Sequence, residues 1–130
     1  VPAWGIHLSV GNPLIDAQHK DLMTLGREGV EFLSAHRADK EEFHRIMNDF
    51  VDLARVHFRT EEEALERNHF PGLESHRREH EDIMDALIEL LIQGLDEHLD
   101  RRKLAEILAS WLVQHLLLTD LPCREYLKGT

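Results

Sequence analysis

Apolar residues recur three and four positions apart along four separate stretches of this chain, and no stretch shows the two-residue alternation of a strand. Each stretch predicts an amphipathic helix. The first opens near Asn12-Pro13 or Asp16, because proline suits a first helical position and Asn or Asp caps free N–H groups. Its apolar face carries Ile15, His19, Leu22 and Met23, with Val30 and Leu33 further along. Gly26 and Gly29 lie inside it, each costing up to about 1 kcal/mol relative to alanine; they either allow close packing or mark a soft spot. Ahead of this helix, Gly5, Gly11 and Pro13 indicate an irregular arm.

The second helix follows Asp39-Lys40-Glu41-Glu42, a sequence that resembles a capping box. Its stripe reads Phe43, Ile46, Met47, Phe50, Leu53, Ala54, His57, Glu61 and Leu65, and it should end near Asn68, before Phe70-Pro71-Gly72. The third runs from about Leu73 to Gly94 with His76, His80, Ile83, Met84, Leu87, Leu90 and Leu91 on its stripe. Asp96 or Asp100 caps a fourth, which turns Leu104, Ile107, Leu108, Trp111, Leu112 and His115 inward. Short connections between long helices favour antiparallel neighbours. The expected fold is therefore all-α: an antiparallel up-down-up-down four-helix bundle with an irregular N-terminal arm, residues 1–130 forming one domain.

Polar residues inside an apolar stripe need a reason. Here the interruptions are His19; His57 and Glu61; His76 and His80; and His115 followed by Asp120. Residues at i and i+4 lie one turn apart on the same face, so each such pair can reach one point inside a bundle. Any one of these histidines alone reads more simply as a core residue satisfied by a carboxylate. Four helices broken in the same way at compatible heights favour convergence, and His57/Glu61 and His76/His80 lie at similar distances from the Pro71-Gly72 turn. Seven nitrogen and oxygen donors are too many for one ordinary ion, so the pattern reads as two metals. Asp120 fits least well: five residues beyond His115, it stands about 140° around a straight helix. Either the last turn widens into a π-bulge near Pro122, or Asp120 is a surface residue at a fraying end.

Charge and cysteine content narrow the chemistry further. A formal net charge of −10 argues against nucleic acid or an anionic membrane as partner. The lone Cys123 excludes an internal disulfide and a thiolate metal cage, and it fits a reducing, cytoplasmic compartment. No apolar run approaches the roughly 18 residues of a membrane span. The chain begins at Val1, so it is expected to be either processed or cut from a longer protein, in which case a fused or partner signalling domain is expected.

Trp4 in the arm, Asp16-Ala17-Gln18-His19, His57-Phe58-Arg59-Thr60-Glu61-Glu62, His76-x3-His80 and Trp111-Leu112-x2-His115-x4-Asp120 together resemble the hemerythrins, most closely their short bacterial single-domain members. The likeness spans essentially the whole chain. It implies a non-haem di-iron centre that binds dioxygen reversibly. By that analogy His76, His80 and His115 hold one iron, and His19 and His57 the other. Glu61 and Asp120 bridge the pair, together with an oxo or hydroxo group. Carboxylates suit bridging because each offers two oxygens, and neutral imidazoles suit divalent iron without accumulating negative charge.

The open position on the second iron should be walled by apolar side chains, with Phe58 and Leu112 the first candidates and Trp111, Ile15, Leu22 and Met23 beside them; plain core packing is the competing reading for each. The expected function is an oxygen carrier, store or sensor, and not an enzyme. The alternatives are a di-iron oxidase or peroxidase, and a metal-stabilised iron-storage bundle. The same ligands would also accept manganese, cobalt or zinc. Glu62 and Glu63 rotate off the Glu61 face and are expected in solvent. His36, His44 and His98 read as surface residues, and His7 and His69 have no partner at ligand spacing. Asp16 is read as a helix cap, with a role behind His19 as the alternative.

Overall fold

A computed structural model describes residue 5 and residues 8–35, 39–93, 101–113 and 121–128, with only the backbone described at Leu90, Gln93, Arg101, Leu104, Leu112 and Val113. Four helices carry the bundle: α1 (Pro13–Ser34), α2 (Lys40–Arg67), α3 (Leu73–Gln93) and α4 (Arg101–Val113). A 3-10 turn at Leu121–Cys123 and a short α5 (Arg124–Leu127) follow. No strand occurs among the described residues. The protein is an all-α bundle, in which α1 packs against α2 and α4, and α2 against α3. No described helix is long and apolar enough to cross a membrane.

The helix ends follow the sequence closely. Asn12 caps α1, its side chain accepting from the N–H groups of Leu14 and Ile15, with Pro13 at the first helical position. Asp16 does something else: it accepts from Val10 N–H at 2.9 Å and from the Ser9 hydroxyl at 2.5 Å. It therefore folds the arm back onto α1 rather than capping the helix. Asp39 caps α2 through Glu42 N–H at 3.1 Å, and Asn68 ends it. The α2–α3 reversal uses His69 at φ 57°, and Phe70 N–H returns to the Leu65 carbonyl. Asp96, Asp100 and Trp4 lie outside the described residues.

Phe32, Phe43, Met47, Phe50, Phe58, Leu87, Leu108 and Trp111 belong to the main core. Gly29 permits the close approach of α4: a Cβ there would stand 2.8 Å from Leu108 Cδ2. Ile107, expected inward, is 47% exposed, because Leu108 and Trp111 occupy the face that α4 turns to the bundle. A smaller core closes one end, where Val10, Ile15, Ala64, Leu65, Cys123 and Leu127 pack together. Asn12 Nδ2 donates to the Leu127 carbonyl and Asn68 Nδ2 to that of Tyr126, so the arm and α5 together floor the bundle. The sequence reading had no helix after Pro122. At four residues, α5 is too short to show a periodic stripe.

Candidate metal centre

Above that floor lies an unusual polar layer. The buried polar side chains among the described residues are Gln18, His19, His57, Glu61, His76 and His80; none is a lysine or an arginine. Glu61 is wholly buried, and a buried carboxylate must be compensated. Imidazoles surround it. Oε1 lies 3.3 Å from His19 Nε2 and in direct contact with His57 Nε2. Oε2 lies 3.3 Å from His76 Nε2 and 3.6 Å from His80 Nε2. The donors form two triads, His19/His57/Glu61 and Glu61/His76/His80, whose ligand atoms lie within 4.8 Å of one another. Three helices supply them, and Glu61 belongs to both.

Hydrogen-bond partners fix which nitrogen carries the proton in His57 and in His80. Thr60 uses its hydroxyl proton on the Val56 carbonyl at 3.0 Å, so its oxygen must accept from Gln18 Nε2 at 3.1 Å. That fixes the amide: Gln18 Oε1 faces His57 Nδ1 at 2.9 Å and accepts its proton. A neutral His57 then presents an Nε2 lone pair to Glu61. His80 repeats the pattern, donating from Nδ1 to Glu62 Oε2 at 3.0 Å and leaving its Nε2 lone pair toward Glu61. Lone pairs aimed at a buried carboxylate repel it unless a cation stands among them. The donor set of imidazole nitrogen and carboxylate oxygen suits a divalent first-row metal, and the outer acceptors are those that orient histidine ligands. The residues present fit such a group.

Five of the seven expected ligands therefore come together. His115 and Asp120 lie outside the described residues. Of the pocket candidates, Phe58 stacks on His80 with ring centroids 4.0 Å apart and meets Trp111 at 6.2 Å. Leu22 belongs to the same core, whereas Ile15 sits in the floor and Met23 packs with Leu8. The Leu112 side chain is not described. His44 and His69 are exposed; His7, His36 and His98 fall outside the described residues.

Gln18 and Glu62 fall within the motifs quoted above, but the sequence assigns neither of them a part in the site. Gln18 had a legible signal: it stands three after Ile15 and four before Leu22, on the buried stripe. Glu62, expected in solvent, is half-buried between His80 and Arg77. Its helix position is off the stripe, and only the proximity of α3 encloses it.

The sequence model of the hemerythrin HHE cation binding domain matches residues 10–121. This chain belongs to the hemerythrin family. The bacteriohemerythrin of Clostridium acetobutylicum is 26% identical over 129 residues, covering 95% of this chain and 97% of that protein. The bacteriohemerythrin of Ralstonia nicotianae is 27% identical over 118 residues, covering 90% and 82%. The myohemerythrin of Theromyzon tessulatum is 27% identical over 117 residues, covering 90% and 86%. In this hemerythrin domain the matched span contains every side chain of the buried cluster.

Proposed function

We propose that the protein binds dioxygen reversibly at a pair of iron ions, as a carrier, store or sensor and not as an enzyme, in the cytoplasm. His19 and His57 would hold one iron and His76, His80 and His115 the other, with Glu61 and Asp120 shared between them. The observation that carries this reading is Glu61: each of its oxygens faces two imidazole Nε2 atoms, from α1 and α2 on one side and from α3 on the other. When bound, the iron pair supplies two electrons to dioxygen and recovers them on release. The protein's own part is to orient the ligands and keep water out. Gln18 and Glu62 hold the imidazoles behind the ions, and Phe58 and Trp111 make an apolar, aromatic wall beside His80.

Binding is favoured over turnover because four of the five described donors are imidazoles, and a histidine-rich, carboxylate-poor set is less suited to stabilising highly oxidised iron. The test is optical. Iron-loaded protein is reduced without air, exposed to oxygen and then deoxygenated. A charge-transfer band that comes and goes supports oxygen binding. A band that decays with consumption of an added substrate supports an oxidase or peroxidase. Bound iron with no oxygen-dependent band supports a closed structural or storage site.

A further inference from the structure

His57 and His80 are backed by acceptors of different charge. Behind His57 stands a neutral amide, Gln18, oriented by Thr60. Behind His80 stands a carboxylate, Glu62, next to Glu61 in sequence but rotated about 100° around the helix. Glu62 is itself held. Its Oε1 lies 3.3 Å from Arg77 Nε, and the same guanidinium reaches Glu74 at 2.6 Å and Glu66 at 3.6 Å. The hydrogen bond to Glu74 chiefly holds the Arg77 pKa above its ordinary value, with the charges of Glu74, Glu66 and Glu62 adding to it. A fixed cation thus anchors the carboxylate from the groove between α2 and α3, which Phe58, Glu62, Arg77 and His80 line.

An anionic acceptor makes the stronger hydrogen bond to a ring N–H and shifts electron density toward the opposite nitrogen. The two halves of the cluster are therefore unequal donors, although each is built from imidazoles and the same Glu61. We propose that Glu62 is a positioning residue for the half that contains His76 and His80: by accepting the His80 proton it fixes Nε2 as the donor atom and makes this half the tighter cation site. This rests on the metal-centre reading above. Arg77 acts one step further out, by holding Glu62.

The test uses the full chain, freed of metal and titrated with Zn2+ against a chromophoric chelator, with bound zinc counted by elemental analysis. Wild type should take up two ions in two resolvable steps. Glu62→Gln, which keeps the size and removes the charge, should weaken the tighter step by about 10- to 100-fold and leave the other unchanged. In a His80→Gln background the same substitution should have no further effect, because Glu62 acts through that ring; a merely structural role would persist there. Co2+ in the tighter site should show a shifted d–d absorption in Glu62→Gln, a readout available without any comparison with His80→Gln. Wild-type affinities and an unshifted cobalt spectrum in Glu62→Gln would overturn the proposal alone. Wild-type protein that takes up no pair of ions would overturn the metal-centre reading as well.

Discussion

Gln18 precedes His19 on α1, yet its carbonyl oxygen faces the Nδ1 of His57 on α2, 2.9 Å away. One residue thus orders a donor on a neighbouring helix while the next residue in sequence supplies its own. The contact depends on Thr60, whose hydroxyl is committed to the Val56 carbonyl and leaves Gln18 only one orientation.

Gln18→Leu should therefore loosen metal retention while leaving helical content intact. Loss of an outer hydrogen bond to a metal-ligating histidine costs about 10- to 100-fold in affinity. Thr60→Val should cost less, because Gln18 could still meet His57 in the correct orientation part of the time. The two effects should not add, since both act through one hydrogen bond. Zinc affinity by chelator competition, measured for both single variants and the double, checks this; additive losses would show that Thr60 does not act through Gln18.

Asn12 is tied to two elements at once. Its side-chain oxygen caps α1, and its Nδ2 donates to the Leu127 carbonyl. Removing an N-cap costs about 1 kcal/mol by itself, and a further hydrogen bond adds about 0.5–1.5 kcal/mol. Asn12→Ala should then destabilise by roughly 1.5–2.5 kcal/mol in denaturant unfolding. Hydrogen exchange should speed up in α5 as well as in the first turn of α1. Exchange confined to α1 would mean that the Leu127 contact contributes nothing.

Gly29 and Leu108 set the distance between α1 and α4. A Cβ at Gly29 would meet Leu108 Cδ2 at 2.8 Å, and Leu108 is 1% exposed, with little room to swing aside. Gly29→Ala gains up to about 1 kcal/mol in helix propensity, against overpacking that costs about 1–3 kcal/mol. A net loss of about 1 kcal/mol is expected. The double variant with Leu108→Ala should be less destabilised than the sum of the two singles, because each relieves the other's defect. Simple additivity in urea unfolding would count against a direct clash.

The bundle was legible in the chain because its cause is periodic. The stripe Phe43, Ile46, Met47, Phe50 and Ala54 predicts a buried face, and all five are buried. Asn12, Pro13 and Asp39 name their helix starts through chemistry that acts within a single turn. The buried polar positions were legible by the same rule: His57 and Glu61 stand where apolar residues belong. What escaped was whatever depends on a second helix. Glu62 is off its own stripe, and only Arg77 and His80 of α3 make it part of the site. Asp16 looked like a cap because Asp often is one; the return of Ser9 and Val10 over it is a tertiary event. Ile107 satisfied the period of α4, but a helix in a four-helix bundle buries only part of its circumference, and Ile107 lies outside that arc.

Glu61 offers the sharpest test of whether the polar layer serves a cation or the fold. If it serves the fold, Glu61→Gln should destabilise the metal-free chain and added metal should change little. If it serves a pair of ions, wild type should gain stability on loading, by about 2.7 kcal/mol for each ion bound when free ion stands at 100 times its Kd. Glu61→Gln should lose most of that gain, because an amide presents a single neutral acceptor where the carboxylate gives one charged oxygen to each triad. In the metal-free state the substitution should be tolerated better than in the loaded one, since it removes a buried charge facing the lone pairs fixed on His57 and His80. Thermal unfolding of both proteins, with chelator and with excess Zn2+, separates the cases. Equal metal-dependent shifts in wild type and Glu61→Gln would remove Glu61 from the centre of the site.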